Sequence, residues 1–504
     1  MAGGDGKSAS ELGRYRGKRD PGRTTEPFEP ERPVRGETET RAGRFVVHQH
    51  AASRMHWDVR LQIGASLLSF AVPKGPSLDP ADKRLAVHTE NHPLAYLDFE
   101  DVIPPGNYGA GAMIAWDTGG LRYLETTAEE GLTKGKLDFW LSGFKLNGRF
   151  ALILTTKGKQ KGGVTSPHGE PQQQEWLLVK KPDAHAKPGH DLLAAQPRSV
   201  LSGLTVEELA KREEVRARLL ASAEALGATR VAVDEPRLVS APPMVCALEG
   251  APERSADWLY ELKLDGVRVV AHKQGDNVRL RYRSGLACTS NYPEIVRAVR
   301  SLPVEELTLD GEIVTFDERG RPHFGMLAPR FAARKAADIA RARAEVPVAY
   351  LCFDVLALGG FDLRELPLIA RKGLLGALLR GSGYVRALDH IVERGDALAA
   401  LCESEELEGI VAKRAASPYR HGPEVSGNWV KLKRAREEEF VVIGKSEGKG
   451  ARKELGALLL ASYAGERLVY RGKVGSGLDG ASISALGRLL GELPALAGDV
   501  EFIP

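Results

Sequence analysis

The sequence predicts a multidomain protein in which a small β-barrel precedes an α+β domain and a second, partial β-barrel. The chain has 504 residues, enough for about three domains of roughly 150 residues each. Short segments of alternating polarity, separated by Gly, Pro and Asn turns, run from Phe45 to about Lys181 and are typical of a small sandwich or barrel. From Met244 to about Arg434 strand-like segments alternate with helical ones, which indicates an α+β domain.

The composition excludes several classes of protein. Lys and Arg number 70 and Asp and Glu 67, so the net charge of +3 indicates that any anionic partner is bound by local patches. The four cysteines form no C-x-x-C pair, which excludes a disulfide scaffold. The hydrophilic N-terminus and the lack of any run of about 18 apolar residues argue against a signal peptide and a membrane span. We therefore expect a cytoplasmic protein without membrane contact, and a monomer.

Changes of composition divide the chain. The N-terminal residues are rich in Gly, Pro, Arg and Glu without periodicity, which describes an extended or weakly ordered arm. Thr205 and Glu208 match a capping box at the start of a helix that extends to Ala225, between the barrel and the α+β domain. The expected divisions are an arm at 1–41, the barrel at 42–181, a linker with a helix at 182–243, the α+β domain at 244–434 and the partial barrel at 435–504.

A first group of polar residues lies in the segment HAASRMHWDVRLQI, residues 50–63. In a strand His56, Asp58 and Arg60 share one face, at steps of about 6.5 to 7 Å, while apolar residues occupy the other. Two His, with His50 supplied by the preceding strand or turn, and one Asp suit Mn²⁺ or Zn²⁺ with positions left open for substrate. Arg60 beside such a metal suits a phosphate oxygen. The alternative is that these residues are the exposed face of an edge strand.

A second segment repeats this pattern. Arg84, His88, Glu90 and His92 have the same parity and are followed by Tyr96. If both polar faces meet inside one barrel, they form a pocket of cations around a metal.

These motifs resemble the 3′-phosphoesterase domain of bacterial DNA ligase D. The resemblance rests on residues 50–63 and on AVPKGPS (71–77), KRLAVHTENHPL (83–94), IPPGNYGAG (103–111) and EWLLVKK (175–181). It implies that His50, His56 and Asp58 hold manganese. It also implies a set of residues around the scissile phosphate, namely Arg60, Lys74, Arg84, Glu90, His92 and Tyr96. An N-terminal KRD and TTEP match a stretch that reaches the site in that family, so Arg19, Asp20 and Glu26 are further candidates.

A second group surrounds Lys263 in WLYELKLDGVR, residues 258–268. Lysine attacks only when its pKa is lowered, and attack on a nucleotide phosphate needs a divalent metal and cationic groups on the phosphates. Acids and bases for these tasks recur downstream, and each alone fits ordinary strand and turn chemistry. They are Asp310, Glu312, Glu408, Lys431 and Lys433, with Phe353 as an aromatic that could stack on a base.

In this order the motifs resemble the covalent nucleotidyltransferases, and most closely ATP-dependent DNA ligase. The matching segments are KLDGVR (263–268), RSG (283–285), DGE (310–312), FDVL (353–356), EGIVAK (408–413) and WVKLK (429–433). The resemblance implies that Lys263 is the nucleophile, that Glu261 reads the adenine edge and that Phe353 stacks on adenine. It assigns Arg268 and Arg283 to ribose or phosphate, Glu312 to ribose, Glu408 to metal, and Lys431 and Lys433 to the α-phosphate.

The two resemblances together imply a multidomain protein with a β-barrel phosphoesterase domain, an α+β nucleotidyltransferase domain of ATP-grasp-like ligase type and a partial OB-fold barrel. The implied function is 3′-end trimming and ATP-dependent sealing of DNA with strand breaks, in non-homologous end joining beside Ku. Mn²⁺ would serve the first domain, ATP with Mg²⁺ or Mn²⁺ the second, and the protein would be nucleoid-associated. Local patches such as Lys413, Arg414, Arg420, Arg434 and Arg436 would bind DNA.

Two alternatives remain open, and one feature departs from the family pattern. The alternatives are a non-catalytic scaffold that binds DNA ends and Ku, and an RNA ligase or capping guanylyltransferase. The sequence has no recognisable primase-polymerase domain, and it ends at Pro504 before any basic R-x-D/E-K segment of the kind that orients pyrophosphate. We therefore expect Mn²⁺-dependent phosphoesterase activity but weak self-adenylylation.

Overall fold

The computed structural model describes most of the chain and divides it into two compact units, Met1–Lys433 and Arg434–Pro504. The described residues are 12–28, 41–155, 174–231, 242–248, 250–422, 425–433, 439–446, 456–465, 467–475, 480–492 and 500–501. Arg434 and Arg436, expected to contact DNA, lie outside them. None of the helices in these ranges is both long and apolar enough to cross a bilayer.

The first unit begins with a closed antiparallel β-barrel, as the alternating pattern predicted. The strands follow the order β1-β2-β3-β4-β10-β9-β8-β7, and β1 closes the ring by pairing with β7. Two short strands, β5 and β6, pair with β3 and β7. The bounds are β1 Ala42–Ala51, β2 Met55–Ile63, β3 Ser66–Val72, β4 Lys83–His88, β5 His92–Pro93, β6 Asp101–Ile103, β7 Gly111–Tyr123, β8 Lys136–Gly143, β9 Asn147–Leu154 and β10 Glu175–Lys180, with helix α2 at Ala128–Lys134 and a 3-10 helix at Leu94–Asp98.

Both faces of β2 are covered, although the two faces differ in chemistry. Val59 and Leu61 are buried in the hydrophobic core beside Val47 and Phe45, their partners on β1. The same register pairs His50 with His56 and His48 with Asp58, so the polar residues of the two strands lie side by side. The interpretation of this segment as an exposed edge strand is therefore wrong.

The arm before the barrel is partly ordered. Residues 12–28 include the short helix α1 (Gly13–Gly17), and the side chains of Leu12 and Tyr15 are each 1% exposed. Composition alone predicted weak order here, because it does not register a few apolar residues that pack against a distant part of the chain.

Residues 182–231 carry helices α3 (Leu192–Ala195), α4 (Val206–Ala210) and α5 (Arg212–Ala225) and strand β11 (Thr229–Arg230). The capping box of Thr205 and Glu208 is formed. The single helix expected up to Ala225 is instead broken at Lys211, whose backbone leaves the helical conformation. The break has a packing reason, since α4 contacts β7 of the barrel whereas α5 contacts the later helix Leu368–Leu378.

The α+β part of the first unit consists of two sheets. One has the order β11-β18-β17-β16-β14-β15 with β19 beside β17, and the other β12-β22-β21-β13-β20. The strands are β12 Val245–Ala247, β13 Ser255–Leu262, β14 Val267–Gln274, β15 Asn277–Tyr282, β16 Glu306–Val314, β17 Ala349–Leu358, β18 Phe361–Asp362, β19 Val385–Ala387, β20 Ile391–Glu393, β21 Gly409–Arg414 and β22 Val425–Lys433. The helices are α6 Pro293–Ser301, α7 Phe324–Ala332, α8 Ala336–Glu345, α9 Leu368–Leu378 and α10 Gly395–Ser404, with a 3-10 helix at Thr289–Asn291.

Strand β17 is buried along its whole length and holds a fully enclosed ion pair. Arg371 of α9 donates from Nε and Nη2 to the two carboxylate oxygens of Asp354, each at 2.8 Å. Both side chains are 0% exposed, so this bidentate pair fixes α9 on the sheet that carries the second candidate site.

The described residues of the second unit form a four-stranded sheet in the order β23-β24-β25-β26 and one helix. Its described apolar contacts involve Leu458 and Ile483. The sequence pattern predicted strands here at 440–444, 456–463 and 468–474, and they are present with bounds shifted by at most two residues. The elements are β23 Val441–Ser446, β24 Ala457–Ala464, β25 Arg467–Val474, α11 Gly480–Glu492 and β26 Val500–Glu501.

Candidate functional sites

His50, His56 and Asp58 form a compact cluster at the end of the β1–β2 hairpin. One potential ligand atom from each lies within 4.8 Å of the others. The Nδ1 atom of His50 is 3.7 Å from Asp58 Oδ2, and the Nε2 atom of His56 is 3.5 Å from Asp58 Oδ1. Among the described residues, this is the group that offers three such atoms together.

The outer nitrogens of both imidazoles are held by backbone carbonyls. His50 Nε2 lies 2.8 Å from Gly109 O, and His56 Nδ1 lies 2.9 Å from Arg54 O. Donation to these carbonyls leaves the inner nitrogens with lone pairs that point towards the carboxylate. Two imidazoles and a carboxylate whose donor atoms lie this close together fit a divalent metal ion with oriented ligands.

The pKa values support a cationic centre. Burial alone would raise the pKa of Asp58, but Arg60 and the two imidazoles outweigh it and hold that pKa well below its ordinary value. Burial lowers the pKa of His56, but the hydrogen bond and charge of Asp58 raise it above its ordinary value overall. The carboxylate is therefore ionised and available as a ligand.

Arg60 connects this cluster to a third histidine, His48, which the sequence analysis missed. Its Nη1 atom lies 3.2 Å from Asp58 Oδ2 and 3.1 Å from Nδ1 of His48. His48 Nε2 lies 3.0 Å from Phe99 O, so the ring donates there and accepts from Arg60. Burial and the charge of Arg60 lower the pKa of His48 well below its ordinary value, which keeps the ring neutral. The parity shared by His48 and His50 was the signal that could have revealed this residue.

His92 lies on the other side of Arg60. Its Nδ1 atom is 2.9 Å from Glu90 O, and its Nε2 atom is 3.4 Å from a nitrogen of Arg60 and of Arg19. Burial and these two charges lower the pKa of His92 well below its ordinary value. The ring is thus neutral, donates through Nδ1 and presents the Nε2 lone pair to the guanidinium groups.

The N-terminal arm completes this site through Arg19. The guanidinium donates to Glu26 from Nε at 2.8 Å and to Glu90 from Nη1 at 3.1 Å. Tyr96 donates its hydroxyl hydrogen to Glu26, and Tyr15, another residue that the sequence analysis missed, stacks under Arg19 at 4.1 Å. The structure thus brings Arg19, Glu26, Glu90, His92 and Tyr96 together.

Three expected residues are not brought into this cluster. Asp20 is exposed and accepts from the backbone of Gly22, and Lys74 is exposed. Arg84 donates to Asp82 at 2.7 Å. The expectation that one strand runs from Arg84 to His92 is wrong, because β4 ends at His88 and His92 belongs to β5, which pairs with β3.

The second candidate site is a cavity of about 590 Å³ between the two sheets of the α+β part. Its walls include most of the residues expected to bind nucleotide, namely Glu261, Lys263, Arg268, Arg283, Glu312, Phe353, Lys431 and Lys433. Lys263 lies just beyond β13 and is 20% exposed, and its Nζ atom is 2.5 Å from Glu408 Oε2. Lys433 approaches the other oxygen of Glu408 at 3.9 Å, so the three groups surround one edge of the cavity.

Glu312 and Arg268 face each other across neighbouring strands β16 and β14. Arg268 donates from Nε at 3.1 Å and from Nη2 at 2.7 Å to the two carboxylate oxygens of Asp310. Burial raises the pKa of Glu312 to about 7, although the charges of Arg268 and Lys263 oppose this rise. Glu312 is therefore a carboxyl group held near its protonated state inside the cavity, which is frequent at functional sites.

Glu261 is enclosed by two lysines that the sequence analysis did not connect with it. Lys372 Nζ lies 2.9 Å from one carboxylate oxygen and Lys413 Nζ 2.6 Å from the other. Lys413 also lies 4.1 Å from the ring centres of Phe353 and Trp429. Because Lys413 is only 2% exposed, its assignment to a DNA-binding surface patch is wrong.

Comparisons with known proteins match both halves of the first unit. Residues 48–154 match the DNA Ligase D 3′-phosphoesterase domain, and residues 244–433 match the ATP dependent DNA ligase domain. The multifunctional non-homologous end joining protein LigD of Pseudomonas aeruginosa is 38% identical over 506 aligned residues, which cover 99% of this chain and 56% of the relative. The protein of the same name from Mycolicibacterium smegmatis is 31% identical over 495 residues, with 96% and 54% covered.

A solved structure described as mycobacterial DNA ligase D complexed with ATP and MES is 27% identical, with a TM-score of 0.36, over 51% of this chain and 79% of that one. The chain spans about half the length of the curated relatives that it matches. Over that span the chain carries the 3′-phosphoesterase domain and the ATP-dependent ligase domain of the DNA ligase D type.

Proposed function

We propose that the protein trims 3′ ends of broken DNA with its barrel domain and seals the resulting nick with its ligase domain. The observation that carries this proposal is the presence of two separate sites in one chain. One combines three metal-ligating atoms with arginines, and the other places a lysine at the edge of a 590 Å³ cavity lined by cations and an aromatic ring. The substrate would be a double-strand break, because both curated relatives are named non-homologous end joining proteins. Ku as a partner stays an expectation from the resemblance.

In the barrel, His50, His56 and Asp58 would hold Mn²⁺. The metal would supply charge neutralisation at a phosphate oxygen. Arg60 and Arg19 would bind the remaining phosphate oxygens, since guanidinium groups match them as planar forks.

Two residues of the barrel would act beside the phosphate. His92, whose neutral ring presents its Nε2 lone pair to Arg60 and Arg19, would accept or pass the proton of the reacting oxygen once the phosphate engages those guanidinium groups. Tyr96 would act by holding the arm through Glu26. Hydrolysis, with water as the attacking group, would thereby remove a 3′-phosphate or a terminal ribonucleotide and leave a 3′-hydroxyl on the DNA.

In the ligase domain, the amine of Lys263 would attack the α-phosphate of ATP, so that a P–N bond forms, the bond to pyrophosphate breaks and AMP stays on the lysine. The proton of the amine would pass to Glu408, whose carboxylate lies 2.5 Å away. Lys431 and Lys433 would stabilise the phosphate charge, and Phe353 would stack on the adenine.

The remaining ligase residues would position the nucleotide. Glu312 and Arg283 would contact the ribose or phosphates. Arg268, held by Asp310, would keep β14 and β16 in position beside the nucleotide. Glu261, held by its two lysines, would read the adenine edge. AMP would then move to a 5′-phosphate and leave when the 3′-hydroxyl attacks.

Incubation with ATP labelled at the α-phosphate tests this proposal. We expect weak label on the wild-type chain and none on Lys263→Arg, while the exposed Lys335→Arg retains the wild-type level. Labelling of Lys263→Arg, or labelling from GTP in preference to ATP, would reject the assignment.

A further inference from the structure

The contact between the barrel and the α+β domain contains a group of charged residues that neither proposed site uses. We name it the junction cluster, and its members are Arg44, Asp98, Glu294, Arg297, Arg330 and Arg343. Arg44 and Asp98 belong to the barrel, and the other four lie on α6, α7 and α8. Four guanidinium groups therefore share two carboxylates, an excess of two positive charges.

Each carboxylate of the junction cluster already has an arginine partner, although Glu294 Oε2 makes no hydrogen bond to the described residues. Asp98 Oδ1 is approached by Arg44 at 3.3 Å and by Arg297 at 2.9 Å. Glu294 is bound tightly by the fully enclosed Arg330 at 2.6 Å. Arg343 reaches Glu294 only at 3.8 Å, which is too far for a hydrogen bond.

Guanidinium donors are left over as a result. The Nη2 atoms of Arg297 and Arg343 are enclosed, and neither has a hydrogen-bond partner among the described residues. Burial, together with the neighbouring charges of Arg44 and Arg297, lowers the pKa of Arg343 to about 10. Burial also lowers the pKa of Arg297, with Arg44 adding to the effect. Enclosed donors and uncompensated charge are costly unless a partner satisfies them.

A tetrahedral oxyanion would accept hydrogen bonds from the enclosed donors and would also compensate the excess positive charge. Phosphate accepts several guanidinium hydrogen bonds at once and carries the opposite charge. The cluster borders solvent, because the side chains of Arg297 and Arg343 remain 18% and 23% exposed although their Nη2 atoms are enclosed. We propose that the junction cluster is a phosphate-binding site that links the barrel to the α+β domain.

Phosphate in such a site has two sources, free phosphate or the backbone of bound DNA. The site itself does not depend on the proposed function, since free phosphate binds whether or not the protein processes DNA. Only binding of a DNA backbone phosphate depends on the proposed function.

Thermal unfolding of the whole chain tests the site with inorganic phosphate. The variant is Arg343→Met, which keeps the aliphatic stem but removes the enclosed donor, and its matched control is Arg341→Met on the same helix, since Arg341 is 69% exposed and pairs with Asp338. At ten times the dissociation constant, phosphate should raise the Tm of the wild type and the control by roughly 2 °C more than that of Arg343→Met. Phosphate bound at the two proposed active sites contributes equally to all three proteins.

An equal rise for all three proteins would overturn the proposal. Arg297→Gln gives the same comparison if Arg343→Met does not fold. A salt titration of binding to a nicked duplex then distinguishes the sources. A slope of log Kd against log salt that falls by about one in Arg343→Met assigns the site to a DNA backbone phosphate, and an unchanged slope assigns it to free phosphate.

Discussion

Replacement of Glu312 by Gln should stabilise the protein at alkaline pH while it removes a group proposed to bind nucleotide. Burial raises the pKa of Glu312 to about 7 from an ordinary value of 4.5. At 1.36 kcal/mol per pH unit, this difference corresponds to about 3 kcal/mol of unfolding free energy.

The sign follows from proton binding. Because the folded pKa lies above the unfolded one, the folded protein binds more protons between pH 4.5 and 7, and stability falls as the pH rises through this window. Glu312→Gln cannot ionise and avoids this loss. We therefore expect the variant to exceed the wild type by about 3 kcal/mol at pH 8.5 and by about 1 kcal/mol or less at pH 5.

Urea unfolding at the two pH values measures this difference. Asp317→Asn is the matched control on the loop after β16, because hydrogen bonds from Arg321 lower the pKa of Asp317 below its ordinary value of 3.8. Its titration therefore lies below both pH values, and its replacement should change stability by the same amount at pH 5 and at pH 8.5. A difference between Glu312→Gln and the wild type that does not change with pH would refute the reasoning.

Three further predictions concern the other described contacts. Mn²⁺ should raise the Tm of the wild type but not of His56→Ala, and its affinity, measured by calorimetry, should increase with pH between 6 and 8 as the His56 imidazole loses its proton; an unchanged Mn²⁺ shift in the variant contradicts the metal site. His48→Leu should lower the trimming rate about tenfold or more, because it removes one of the acceptors that orient Arg60, and His48→Gln should restore part of it; equal rates in both variants contradict this role. Arg371→Met should cost about 3 to 5 kcal/mol in urea unfolding because it leaves the enclosed carboxylate of Asp354 without its guanidinium partner, and a loss below about 1 kcal/mol would contradict that reading.

Local pattern was enough to predict much of the barrel site. The period-two spacing of His56, Asp58 and Arg60 predicted one shared face, and the strand register then pairs His50 with His56 as expected of a hairpin. The same logic failed after His88, because the end of a strand depends on its neighbours and His92 is placed by pairing with β3.

Contacts between distant segments could not be predicted from pattern. The arrangement of Glu261 between Lys372 and Lys413 joins a strand, a helix and a second strand, and no spacing in the sequence connects them. Resemblance predicted that Arg19 reaches the barrel site, but its partners Glu26 and Glu90 emerged only from the folded contacts.

One gel experiment tests most directly whether the barrel site performs the trimming and the ligase site performs the joining. A nicked duplex with a 3′-phosphate at the nick is incubated with Mn²⁺ and ATP, and both trimming and joining are read. We predict that the wild type trims and joins, that Lys263→Ala trims without joining, and that His56→Ala joins only when the nick already carries a 3′-hydroxyl. Joining by Lys263→Ala, or trimming by His56→Ala, would contradict the assignment of one reaction to each site.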